Sequence, residues 1–244
     1  MPPSRATVSL AIAEPCYKTR DMTRAPALDP SLQHPVAPEP APLLYRALRG
    51  PARRLFERLF DLSVEGLERL PPAGPYIIAA NHHNYLDGVV LALVTPAPIA
   101  FLVMPRVWRA TPLHPSFHRH IGSIPINLER PDVGALRRAL GALAEERVVG
   151  IFPEGPFSVR GRLERGLPGV ALLALRSGAP VVPAGISGTY EALSGRWGYI
   201  PRRGRLAVRF GPPRRFSAAG PDGRRSARES VTRRIMDDIA ALLS

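Results

Sequence analysis

The chain is poor in cysteine, in lysine, in aromatic residues and in long unbroken apolar runs, and each scarcity removes a class of protein. Its single cysteine, Cys16, excludes an internal disulfide framework and points to a reducing, cytoplasmic setting. Lys18 is the only lysine, so the formal net charge of +13 rests almost wholly on arginine. Those arginines are scattered, with no long basic run, and no nucleic-acid partner is expected. The longest uncharged stretch, 88–105, is long enough to suggest a membrane span. Pro96 and Pro98 cut it, and a helix, a turn and a strand explain it better. Residues 8–13 make an apolar patch too short for a secretion signal, and Glu14 ends it. No internal repeat is visible.

Proline, by contrast, is abundant at 29 residues of 244, and it is dense towards the N-terminus. Residues 1–42 lack sustained periodicity and end in Pro35, Pro38, Pro40 and Pro42, which predicts a disordered tail. Residues 43–62 change character. Leu44, Leu48, Ala52, Leu55, Phe56, Leu59 and Phe60 fall near helical spacing, with arginines between them and a break expected at Gly50-Pro51. An amphipathic helix lying on an anionic membrane surface fits this pattern. So does a helix packed on the core with a solvated basic face.

The remaining residues, 63–244, alternate between short β-branched runs and longer amphipathic ones. Strands are expected at 61–67, 76–80, 99–104, 124–128, 148–152 and 181–186, with an edge strand at 206–210. Helices are expected from residue 88, at 132–147 with Asp132 as cap, at 167–177 ended by Gly178 and Pro180, and at 224–243. This β-α alternation predicts one α/β domain with a mostly parallel sheet flanked by helices. An apolar content of 45% suffices for its core.

The chemistry-bearing residues gather where strands end. Residues 76–80 lead into Asn81, His82, His83, Asn84, Tyr85, Leu86 and Asp87, and an apolar run follows. His82 and Asp87 would point about 140° apart on one helix. They meet only if His82 precedes the helix and Asp87 lies in its first turn, with Asn84 as N-cap. Asp87 can then hold one ring nitrogen of His82 and leave the other to take a proton. A capping box with no catalytic role is equally compatible with Asn84 and Asp87. A second strand ends in Phe152, Pro153, Glu154 and Gly155, and two parallel strand ends share one crevice. Arg130, Arg160, Arg162 and Arg165 flank these corners and could hold a phosphate. His114 and His118 have metal-ligand spacing, but Pro115 separates them and no acid or cysteine completes a set, so no metal is expected.

Four of these stretches, in this order, resemble the glycerolipid acyltransferase family, whose best-known member is lysophosphatidate acyltransferase. Asn81, His82 and Asp87 match its Asn-His-x4-Asp block. Gly122 to Arg130 resembles its second block. Phe152, Pro153, Glu154, Gly155 and Ser158 match the third, Phe-Pro-Glu-Gly-Thr-Arg-Ser. Val181, Val182 and Pro183 match the fourth. The resemblance implies an enzyme that moves a fatty acyl group from acyl-CoA or acyl carrier protein to a lysophospholipid hydroxyl, most simply 1-acyl-sn-glycerol-3-phosphate. It implies His82 and Asp87 as catalytic residues, and Glu154, Gly155, Ser158, Arg130 and Arg165 as acceptor-binding ones. Pro183 would belong to the donor or acyl pocket. No cofactor is implied beyond the thioester co-substrate. A peripheral position on the inner face of the cell membrane is implied too, with residues 43–62 as the contact. Two departures bear on the acceptor: Pro156 and Phe157 stand where the family has threonine and arginine, and the second-block arginine comes two positions late, at Arg130.

Overall fold

The computed structural model describes residues 43–108, 116, 118–119, 121–127, 132–193, 201–217 and 224–244. The chain divides into units 1–34 and 35–244, and every described residue belongs to the second. The tail expected over 1–42 lies outside the described residues, as do Arg130, His114 and His120.

The strands are β1 (Asp61–Glu65), β2 (Tyr76–Ala80), β3 (Ile99–Val103), β4 (Ile124–Pro125), β5 (Val148–Ile151), β6 (Val181–Ser187) and β7 (Arg205–Phe210). Between them run α1 (Leu43–Leu59), α2 (Tyr85–Val94), α3 (Pro105–Trp108), α4 (Val133–Ala144), α5 (Gly169–Ser177) and α6 (Thr189–Leu193), with α7 (Arg224–Ala240) last. Among the described residues the strands form one sheet in the order β1-β7-β6-β2-β5-β3-β4. Every neighbouring pair is parallel except β6 and β7. The expected α/β architecture with a mostly parallel sheet flanked by helices is therefore the observed one.

β2 sits at the centre because it is apolar on both faces and is buried throughout. Tyr76, Ile78 and Ala80 face one core, shared with Phe56 of α1, Phe60 just beyond it, and Leu91 and Val94 of α2. Ile77 and Ala79 face the other, shared with Ala135 and Ala139 of α4, Leu173 of α5 and Ile235 and Ile239 of α7. Asp132 caps α4 as expected, accepting from Ala135 N–H at 2.8 Å, and Gly178 ends α5 in the left-handed conformation.

Three expectations are corrected. Residues 206–210 are not an edge strand: β7 lies between β1 and β6, and β1 is the edge. Alternating polarity reports one-sided burial and does not say whether a strand has one neighbour or two. The first strand is shorter than expected, because the chain turns into a short 3-10 helix at Leu67–Arg69 after the left-handed Gly66. Most notably, Gly50-Pro51 does not break the first helix; α1 runs through it. Pro51 lies on the exposed face, so the Ala47 carbonyl it cannot serve stays open to water. Tertiary contacts do the rest. The Arg49 guanidinium donates to the carbonyls of Ala92, Leu93, Thr95 and Pro96 at the end of α2, and the Tyr45 hydroxyl donates to Ala92. Arg49 thus satisfies the orphan carbonyls of α2 and clamps α1 to it.

Candidate active site

At the end of β2 a side chain takes over from the backbone. The Asn81 amide donates to the Ile186 carbonyl at 2.8 Å and accepts the Ile186 N–H at 2.7 Å. It prolongs the β2–β6 ladder by one rung while its own backbone turns away. Asn81 is fully buried, so no water could replace those bonds.

His82 is the first residue free of the sheet. Its Nδ1 lies 3.0 Å from Asp87 Oδ2. That same oxygen accepts the backbone N–H groups of His83 at 2.6 Å and Asn84 at 2.8 Å. Asn84 in turn caps α2 by accepting from Leu86 N–H, so Asn84 and Asp87 form a capping box. The capping box is what brings Asp87 under the histidine, so one geometry is compatible with both the structural and the catalytic readings of this motif. Asp87 is fully buried, whereas the His82 side chain is about one-tenth exposed. With Nδ1 committed to the carboxylate, Nε2 is the nitrogen left to exchange a proton.

The corner after β5 grips His82 by its backbone. Glu154 Oε1 accepts the His82 N–H at 2.7 Å, and Ser158 N–H donates to the His82 carbonyl at 2.8 Å. Glu154 Oε2 accepts Glu164 N–H at 2.6 Å, and the Ser158 hydroxyl donates to the Arg162 carbonyl at 2.7 Å. Gly155 makes the turn with φ of 81°, a conformation that a side chain would strain. Burial pushes the Glu154 carboxyl above its ordinary value, opposed by the two backbone N–H donors and assisted by the nearby Glu164 and Asp87.

Two phenylalanines enclose the imidazole. Phe152 stacks on it with centroids 3.7 Å apart and planes 5° from parallel. Phe157 meets it edge-on at 4.5 Å. The sequence marks Phe157 as a departure from the family pattern but does not reveal that it touches His82.

The other expected site residues divide. Glu154, Gly155 and Ser158 lie against His82 in the same corner, as the shared-crevice argument requires. Both Glu154 oxygens are already engaged by backbone N–H groups, so its visible work is to position His82. Arg160, Arg162 and Arg165 are exposed, and their side chains have no ion-pair partner among the described residues. Pro183 is paired with Ala79, three residues before His82. By strand alternation it shares a face with Val181, opposite Val182 and Ala184, so the structure does not bring it to His82. His118 is buried, with Nδ1 3.2 Å from Ser123 Oγ and its ring stacked on Trp108. Among the described residues, no three His, Cys, Asp or Glu side chains gather as metal ligands.

Known proteins resemble this chain over the segment that holds the site. The family model described as Acyltransferase matches residues 61–187, just over half of the chain, from β1 to the end of β6. The 1-acyl-sn-glycerol-3-phosphate acyltransferase of Bacillus subtilis is 26% identical over 156 residues, which cover 62% of this chain and 73% of that protein. A chloroplastic 1-acyl-sn-glycerol-3-phosphate acyltransferase of Arabidopsis thaliana is 29% identical over 138 residues, but these span only 37% of its length. The crystal structure of the 1-acyl-sn-glycerophosphate acyltransferase PlsC from Thermotoga maritima has the same fold, with a TM-score of 0.62 over 81% of each chain at 24% identity. With its histidine-carboxylate pair and its Phe-Pro-Glu-Gly corner both inside the matched segment, the chain belongs to the acyltransferase family and is related to the glycerolipid acyltransferases.

Proposed function

We propose that this O-acyltransferase moves a fatty acyl group from an acyl-CoA or acyl carrier protein thioester to the hydroxyl of a lysophospholipid, with 1-acyl-sn-glycerol-3-phosphate as first acceptor. The observation that carries the reading is the 3.0 Å approach of His82 Nδ1 to Asp87 Oδ2, in a frame that fixes both backbone ends of His82. His82 Nε2 removes the proton of the acceptor hydroxyl as its oxygen attacks the thioester carbonyl. Asp87 holds the ring in register and stabilises the imidazolium. When the tetrahedral intermediate collapses, the C–S bond breaks and the imidazolium returns its proton to the departing thiolate. A base of this kind supplies about 10²–10⁴-fold, and positioning supplies the larger share. Phe152 and Phe157 keep water from the ring, which favours a lipid hydroxyl over hydrolysis.

The same reading places the protein on a lipid surface. Leu48 and Leu55, 56% and 58% exposed, lie on one stripe of α1, about 80–100° round the helix from the inward Phe56. Arg54 is exposed on the side of α1 away from Phe56 and suits anionic headgroups. No helix among the described residues is long and apolar enough to cross a membrane.

One observation favours a second acceptor class. Phe157, not a cation, stands against His82, which suits a hydroxyl compound without a phosphate beside the reacting oxygen. The deciding experiment is thiol release from acyl-CoA and acyl carrier protein against a panel of lysolipids and uncharged monoacyl acceptors. His82→Ala should abolish release. Release that is independent of added acceptor, or wild-type inactivity across the panel, would overturn the transfer reading.

A further inference from the structure

The antiparallel joint between β6 and β7 has a consequence for the catalytic edge. It brings the amino ends of β1 and β7, at Asp61 and Arg205, to the same edge of the sheet as the carboxyl ends of β2 and β6. A shallow, widely open basin of about 710 Å³ lies there, lined by the end of α1 (Glu57, Arg58 and Leu59), by Phe60 and Asp61, and by residues 203–205. Resting on the acyl-transfer reading, we propose that this basin binds the phosphorylated nucleotide end of a coenzyme A thioester while the acyl end reaches His82.

Charge is the first support. Five charged side chains line the basin, and two of its acids are already engaged. Glu57 is held by Arg53 at 2.8 Å and Asp61 by Arg205 at 3.1 Å. Arg58 and Arg203 are exposed and have no ion-pair partner among the described residues. Their guanidinium groups can therefore be satisfied by an incoming anion, and paired N–H donors match a phosphate. The Arg205–Asp61 pair is itself largely exposed and is easily exchanged. Leu59, half-buried, gives the basin a small apolar edge against which a purine can rest.

Continuity with the catalytic corner is the second support. A Cβ on Gly188 would stand 2.0 Å from the Arg205 carbonyl, so the two backbones touch and only glycine fits. The next residue, Thr189, accepts from the Asn84 amide through its carbonyl at 2.7 Å, and Asn84 caps the helix that carries Asp87. Arg202 N–H donates to Ala192 in α6 at 2.7 Å, which ties the segment bearing Arg203 to the same corner. β7 and β1 stand two and three strands from β2, or about 10 and 14 Å. An extended pantetheine arm is longer than either span.

The test compares wild type, Arg58→Ala/Arg203→Ala and Arg58→Lys/Arg203→Lys, all as the full chain. Both arginines are exposed, so folding should be unaffected. By calorimetry, wild type should bind 3′,5′-ADP, and the alanine pair should bind it about tenfold more weakly or worse, with partial recovery in the lysine pair. The ratio of kcat/KM for acyl-CoA to that for acyl-pantetheine, which lacks the nucleotide, should fall by a similar factor in the alanine pair. Absence of 3′,5′-ADP binding by wild type would overturn the proposal. So would an unchanged donor ratio, or a loss confined to phosphatidylglycerol vesicles or to acyl carrier protein. Should wild type transfer no acyl group at all, the transfer reading falls, and the 3′,5′-ADP isotherm still decides whether the site exists.

Discussion

Asp87→Asn separates the two things that Asp87 does. The substitution keeps the shape of the side chain and removes its charge. In the wild type, Oδ2 takes N–H groups from His83 and Asn84 as well as from the His82 ring, while Oδ1 is buried without a hydrogen-bond partner. The asparagine oxygen can occupy the Oδ2 position and keep both backbone bonds, and its NH₂ then fills the Oδ1 position. Two charge-assisted bonds become neutral ones, a loss of about 1 kcal/mol each. Relief from burying a carboxylate offsets part of this, so the net cost is at most about 2 kcal/mol, or 4–8 °C in Tm for a domain of this size. Catalysis should fare far worse, because the imidazolium formed during proton transfer has lost its counter-charge. A fall of about 10³–10⁴ in kcat is expected, as when the carboxylate of a histidine dyad is amidated elsewhere. Thiol release under saturating donor and acceptor, alongside circular dichroism melting of both proteins, reads the two numbers separately. A folded Asp87→Asn protein that keeps more than a tenth of wild-type kcat would refute the general-base argument.

Other outcomes follow from the same geometry. Glu154→Gln can accept only one of its two N–H donors through oxygen, so it should lose about 1–3 kcal/mol in urea denaturation. It should also change the pH dependence of stability. The folded state holds the Glu154 proton more tightly than the unfolded chain does, so wild-type stability declines as pH rises from the ordinary 4.5 through the raised value. That component should be absent from the variant, and parallel pH curves for the two proteins would contradict the assignment. Asn81→Ala orphans the N–H and carbonyl of Ile186 inside the sheet, and a loss of about 2–5 kcal/mol is expected from chemical denaturation; a loss under 1 kcal/mol would show that the rung is dispensable. Phe157→Arg places a cation beside His82 and should raise the kcat/KM ratio of lysophosphatidate to monoacylglycerol by about tenfold, whereas an unmoved ratio would remove Phe157 from acceptor selection.

Much of the site was legible because its spacing is a local geometric condition. His82 and Asp87 can meet only across a capped helix start, and Asn84 signals that start. The Phe-Pro-Glu-Gly corner was legible as a second strand end, and parallel strands put such ends together. What Glu154 does there was not legible, because a carboxylate that binds a substrate and one that grips a neighbouring backbone look identical in sequence. Only the position of His82 N–H, 2.7 Å from Oε1, separates them. Pro183 lies within β6, as the strand expected at 181–186 requires, but the face it takes was not legible, since a strand's register and not its composition decides that.

The sequence by itself determined the α/β alternation, the capped turn that carries His82 and the family to which the chain belongs, because these depend on residues close together along the chain. Tertiary structure alone decided that α1 passes through Pro51, that β7 runs antiparallel inside the sheet and that Phe157 leans on the His82 ring. The first depends on Arg49 reaching the carbonyls of α2, 43 to 47 residues away. The others depend on which strand ends become neighbours. Contacts between distant segments are selected by packing and backbone hydrogen bonding over the whole sheet, and no local pattern encodes that choice.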